Sequence, residues 1–147
     1  MKYIPFTLLF LSFLGFGQDK YPKNYFRSPL DIPLILSGTF GELRSNHFHS
    51  GIDIKTQGKE GLNACAVADG YVSRIKIAQF GFGKAIYITH PNGYTSVYAH
   101  LSKYADAIEK YVKEYQYKTK KNTAVNLYLK EDQFPVKKGD IIAYTGD

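Results

Sequence analysis

The sequence predicts a mostly β domain, antiparallel and built of two sheets face to face, with one short inserted helix. Three observations predict it. From Phe48 onward, short alternating apolar and polar runs recur, the period of half-buried strands. Turns at Asp69-Gly70, Pro91-Asn92-Gly93 and Lys138-Gly139-Asp140 separate them. A single stretch, after Leu101, changes to helical spacing. Short strands with one helix favour sheet-on-sheet packing, and the 13 Tyr and 10 Phe suit strands.

In chain order, Met1-Lys2-Tyr3 carries one cation, and an apolar run from Ile4 ends in small residues at Gly15 and Gly17. This pattern predicts a secretory signal peptide over residues 1–17, cut after Gly17, and hence an exported protein of the periplasm, cell envelope or exterior. The run is too short and broken for a comfortable membrane span. No Cys follows it to carry a lipid anchor. Residues 18–37 hold Pro22, Pro29 and Pro33, which predicts an extended lead-in wrapping the domain. Residues 38–147 form the domain proper, after a turn-rich join at Ser37-Gly38-Thr39-Phe40-Gly41.

Within it, Gly51-Ile52-Asp53-Ile54 alternates. Ala64 to Ile77 is interrupted only at Asp69-Gly70 and reads as a hairpin. A second hairpin joins Ala85–Thr89 to Tyr94–His100 through Asn92-Gly93. From Leu101 to about Tyr117, Tyr104, Ile108, Tyr111, Val112 and Tyr115 fall at helical spacing. Its mixed charges suit packing on the sheet better than a membrane surface. Ala124–Leu129 and Ile141–Tyr144 read as two further strands.

The net charge of +6 permits attraction to anionic polymers. The cations are scattered, however, and no basic-aromatic motif points to nucleic acid. Cys65 is the only cysteine, so no internal disulfide is available. Its small apolar neighbours indicate a buried, inert thiol and not a nucleophile.

Chemistry concentrates in Arg44-Ser45-Asn46-His47-Phe48-His49-Ser50-Gly51-Ile52-Asp53. Imidazole and carboxylate are ordinary zinc ligands, and Ser50-Gly51 permits a close chain path between His49 and Asp53. His47, two residues from His49, would share its face on a strand. Two ligands do not complete a catalytic zinc site, which usually takes three and a water. His100 ends the return strand Tyr98-Ala99-His100, where a group titrating near neutrality could serve as acid or base. His90, beside Pro91-Asn92-Gly93, reads as a solvated turn residue and not a ligand.

The order of motifs resembles the lysostaphin and LytM type of zinc endopeptidase, a family of cell-wall hydrolases. The matching pieces begin with His49-Ser50-Gly51-Ile52-Asp53 and Ala66-Val67-Ala68-Asp69-Gly70-Tyr71-Val72. Gly83 to Thr89 and Asn92-Gly93-Tyr94-Thr95, leading to Tyr98-Ala99-His100-Leu101, follow. The last piece is Val136 to Ala143 with Thr145-Gly146. The resemblance implies a duplicated-hybrid or barrel-sandwich fold, Zn2+ as cofactor, His49 and Asp53 as metal ligands and His100 as a catalytic histidine. It implies hydrolysis of peptide cross-links or stems of peptidoglycan. It gives His47 no role. The family takes its third ligand and second active-site histidine from a His-x-His strand after the Thr-Gly turn, whereas this sequence has no His after His100. The expectation is a domain incomplete at its C-terminus and inactive as it stands. The alternative is a non-cleaving homologue that binds the wall or regulates an amidase. A lipoyl- or biotinyl-type carrier shares the strand layout, but no Lys stands at a matching hairpin tip. The segment between Leu101 and Val136 is a longer insertion that could shape a groove. Oligomeric state is left open.

Overall fold

The computed structural model describes residues 23–146; the expected signal peptide lies outside them. Ten strands and one helix follow in order: β1 (Leu36–Gly38), β2 (Asp53–Ile54), β3 (Asn63–Cys65), β4 (Gly70–Ile77), β5 (Lys84–Thr89), β6 (Thr95–Tyr98), β7 (Leu101–Tyr104), α1 (Asp106–Thr119), β8 (Val125–Tyr128), β9 (Pro135–Val136) and β10 (Ile141–Thr145). They form a ribbon of β1 and β2, a three-stranded sheet in the order β3-β10-β7, and a sheet in the order β6-β5-β4-β8 with β9 also on β4. Every pairing is antiparallel. Among the described residues the fold is therefore mostly β with one helix, as the sequence pattern predicts.

The two larger sheets share one core. Ala64, Leu101, Tyr104, Ile142 and Ala143 come from the smaller sheet, and Val72, Ile75, Ile86, Ile88 and Tyr98 from the larger. Ile108 and Val112 add one face of α1. Strict alternation would send Val72 and Ile75 to opposite faces, yet both are fully buried. A bulge between Val72 and Arg74 absorbs the extra residue and restores the phase. The bulge leaves Arg74 outside, its guanidinium 5.0 Å from the rings of both Tyr87 and Tyr128.

Two element assignments from the sequence are corrected. Ala64–Ile77 is not a hairpin, because β3 and β4 belong to different sheets. The chain at Ala66 bonds instead to the 139–140 turn: Ala66 N–H donates to Asp140 O, and Gly139 N–H to Ala66 O. Asp69 Oδ1 accepts the Lys138 N–H at 2.8 Å, fixing the crossover. Second, Leu101–Tyr104 is strand, not the first turn of the helix. β10 pairs with it, Ala143 opposite Tyr104 and Thr145 opposite Leu101. A short apolar run cannot distinguish strand from helix by period alone. The Glu109 carboxylate accepts the Tyr104 N–H at the join, and α1 then runs to Thr119 and stops at Lys120 in the left-handed region.

The lead-in packs on the domain: Leu30 is buried, Arg27 N–H donates to Val67 O, and Cys65 N–H donates to Pro29 O. Among the described residues no helix is long and apolar enough to cross a membrane.

Candidate active site

Between β1 and β2 the chain folds back on itself. Gly41 N–H donates to His49 O, His49 N–H to Glu42 O, and Arg44 N–H to His47 O; Leu43 bridges to Phe48. The Thr39 N–H is held by the Glu42 carboxylate at 3.0 Å. This small ribbon sets the height of His49, and the pairing of β2 with β1 sets Asp53 beside it.

The two side chains meet: His49 Nε2 lies 3.3 Å from Asp53 Oδ1. His49 Nδ1 lies 3.0 Å from Thr39 O. A carbonyl oxygen only accepts, so Nδ1 carries the hydrogen and the lone pair of a neutral ring sits on Nε2, facing Asp53. Two acceptors face each other there, and a cation between them, proton or metal, satisfies both. The spacing suits a metal. Zinc–nitrogen bonds of about 2.0–2.1 Å and zinc–oxygen bonds of about 2.0–2.2 Å at a tetrahedral angle separate N and O by about 3.3–3.5 Å. The anchoring of Nδ1 on a backbone carbonyl is the support that metal-binding imidazoles commonly have.

Besides Thr39, two neighbours of this pair, Arg44 and Gly38, had no role in the sequence reading. Arg44 Nη2 donates to Asp53 Oδ2 at 2.7 Å and lies 3.4 Å from His49 Nδ1. With the Nδ1 hydrogen committed to Thr39, the second contact is proximity only. Arg44 Nε is buried without a hydrogen bond, 3.5 Å from Glu42 Oε1. Gly38 stands opposite Asp53 in the ribbon. A Cβ there would come within 2.4 Å of Asp53 Oδ2 and 2.5 Å of Arg44 Nη2. Glycine at 38 is thus a matter of space and not of backbone angle. The sequence shows a Gly in a turn-rich join; only the β1–β2 register shows what lies over it.

His100 sits in the tight connection from β6 to β7, where the chain passes between sheets. It is exposed, with φ of 54°, an uncommon conformation for a residue with a side chain. Its N–H donates to Phe82 O, and its carbonyl accepts the Gly146 N–H at 2.9 Å. Among the described residues, no hydrogen bond or ion pair joins His100 to His49 or Asp53. His47 is exposed at the ribbon end, 2.6 Å from Asn46 Oδ1, and away from the His49–Asp53 pair's contacts.

His90 corrects the sequence reading, because it is buried, not solvated. Its Nδ1 donates to Asp69 O at 2.8 Å, so Nε2 accepts from Ser96 Oγ at 2.9 Å. Phe26 covers the ring edge-on, with centroids 5.5 Å apart. Only the expectation of solvation is overturned, because Tyr25 and Phe26 of the lead-in close over the ring. Cys65 is 2% exposed, and burial pushes its thiol pKa up, partly offset by Arg27. No group of three or more His, Cys, Asp or Glu side chains able to hold a metal occurs among the described residues.

No curated protein matches the chain. The family model for Peptidase family M23 matches residues 47–120, half of the chain. That span contains His49, Asp53 and His100 and runs through α1, while Gly38 and Arg44 precede it. On that match, the chain is a member of Peptidase family M23, a family of lysostaphin and LytM-type peptidases.

Proposed function

We propose that the chain belongs to a zinc endopeptidase domain that hydrolyses peptide bonds in peptidoglycan, with His49 and Asp53 as two metal ligands. The observation that carries this reading is the 3.3 Å separation of His49 Nε2 and Asp53 Oδ1, with the lone pair aimed by the Thr39 carbonyl. The chemistry that zinc supplies when bound is Lewis acidity, which polarises a carbonyl and acidifies water. The residues divide the remaining work. Thr39 fixes the His49 tautomer. His100, exposed on a strained connection, is free to give or take a proton at the substrate. Exposed Phe48 precedes His49 in the chain, exposed Phe40 lies between Thr39 and Gly41, which both bond to His49, and the carbonyl of exposed Phe82 accepts the His100 N–H; such apolar surface suits an extended peptide.

A third ligand is needed. Gly146 N–H bonds to His100 O, which brings the end of the described residues beside His100. A His-x-His run shortly downstream supports the proposal; a gene that ends at residue 147 or lacks both histidines contradicts it. The decisive assay is muropeptide release from purified sacculi by the complete zinc-loaded gene product. His49→Ala abolishes release on this reading, and His100→Ala lowers it roughly 10²–10⁴-fold while zinc stays bound. Export is part of the proposal, and N-terminal sequencing of the mature protein finds Gln18 first if residues 1–17 are cleaved.

A second reading rests on the two-member ligand set: a homologue that docks on the wall or on an amidase without cutting. Sacculus binding without zinc and without muropeptide release favours it. Stoichiometric zinc with cleavage rules it out.

A further inference from the structure

We propose that Arg44 is the positioning residue that makes Asp53 a one-oxygen metal ligand, and that Gly38 is the space that lets it do so. The inference rests on the zinc-site reading above. Arg44 Nη2 takes Asp53 Oδ2 at 2.7 Å, leaving Oδ1 as the oxygen that faces His49 Nε2 at 3.3 Å. A carboxylate with one oxygen committed to a donor can neither rotate freely nor offer both oxygens to a metal. Its position is further bounded by β1, where the absent side chain of Gly38 leaves the volume that Oδ2 and Nη2 occupy.

A cation beside a metal site would be expected to weaken binding by repulsion. Two features limit that. Glu42 Oε1 lies 3.5 Å from Arg44 Nε, so a carboxylate balances the guanidinium. Arg44 and Asp53 side chains are each more than a third exposed, so water screens what charge is left. What Arg44 delivers to Asp53 is therefore mainly an aimed donor. Loss of such supporting partners typically costs about 10–100-fold in metal affinity.

The test is a zinc titration of the complete ¹⁵N-histidine-labelled gene product followed by NMR, which reports each imidazole nitrogen separately. Zinc shifts His49 Nε2 in the wild type. Arg44→Met keeps the bulk and removes the donor; it weakens the His49 response about 10–100-fold. Arg44→Lys restores a single donor to Oδ2 and recovers most of the loss. Gly38→Ala crowds the same pair and weakens zinc as Arg44→Met does. Buried His90 reports whether each variant is folded, and a variant that unfolds leaves the other two to decide. Wild-type affinity in Arg44→Met and Gly38→Ala, or tighter binding in Arg44→Met, overturns the role of Arg44 and leaves the zinc site standing. A wild-type His49 that ignores zinc overturns the zinc site itself.

Discussion

Asp53 Oδ1 faces His49 Nε2 across 3.3 Å while Asp53 Oδ2 is held by Arg44 at 2.7 Å. Each oxygen of one carboxylate thus has a different partner. Asp53→Asn keeps the shape and removes the charge. It loses zinc affinity by more than the roughly 10–100-fold that an outer partner costs. Unfolding stability changes by at most about 1 kcal/mol, since half-exposed ion pairs contribute about 0–1 kcal/mol. Zinc titration and urea unfolding of the same variant separate the two effects. An equal loss in both would mean that Asp53 is structural.

Asp69 ties the β3–β4 crossover to the 137–139 turn. The Lys138 N–H, then the Lys137 ammonium, hold its carboxyl pKa below the usual range. A depressed folded pKa contributes stability that is present above the unfolded value of about 3.9 and fades as pH falls through the folded value. Urea midpoints of wild type and Asp69→Asn therefore differ most above about pH 5 and converge in stronger acid. A gap that is constant with pH would exclude this linkage.

The His90 ring is satisfied at both nitrogens, with Ser96 Oγ serving Nε2. Ser96 Oγ in turn lies 3.4 Å from Tyr98 OH, which accepts the Val67 N–H at 2.8 Å. Ser96→Ala leaves a buried Nε2 without its donor and costs about 1–3 kcal/mol. Urea unfolding measures it, and a loss under about 0.5 kcal/mol, the ordinary range for surface changes, would show that solvent reaches the ring.

Cys65 is buried on β3, and its thiol pKa is raised by burial. In native protein at pH 7.5 it resists a thiol reagent over hours, and urea exposes one equivalent at once. Rapid native labelling would mark an open β3 edge.

Much of the larger sheet is legible in the sequence because its signals are local. The Asn92-Gly93 turn between two alternating runs gives the β5–β6 hairpin directly. The β3–β4 crossover is not legible, because the partners of Ala66 lie more than seventy residues away at Gly139 and Asp140. The Leu101–Tyr104 strand is lost for the same reason: β10 creates it. At the site, ligand-type residues His49 and Asp53 stand out by chemistry and spacing. Gly38, Thr39 and Arg44 do not, since a backbone carbonyl, an absent side chain and a distant guanidinium acquire meaning only from register. His90 shows the converse, a polar residue beside a turn that aromatic residues of the lead-in bury.

The central claim is that His49 and Asp53 bind one zinc ion between Nε2 and Oδ1. Crystals of the complete gene product grown with zinc, measured across the zinc absorption edge, test it most directly. One anomalous peak is expected at about 2.0–2.2 Å from both His49 Nε2 and Asp53 Oδ1, with Thr39 O still on Nδ1. A peak elsewhere, or zinc on His49 Nδ1, would contradict it.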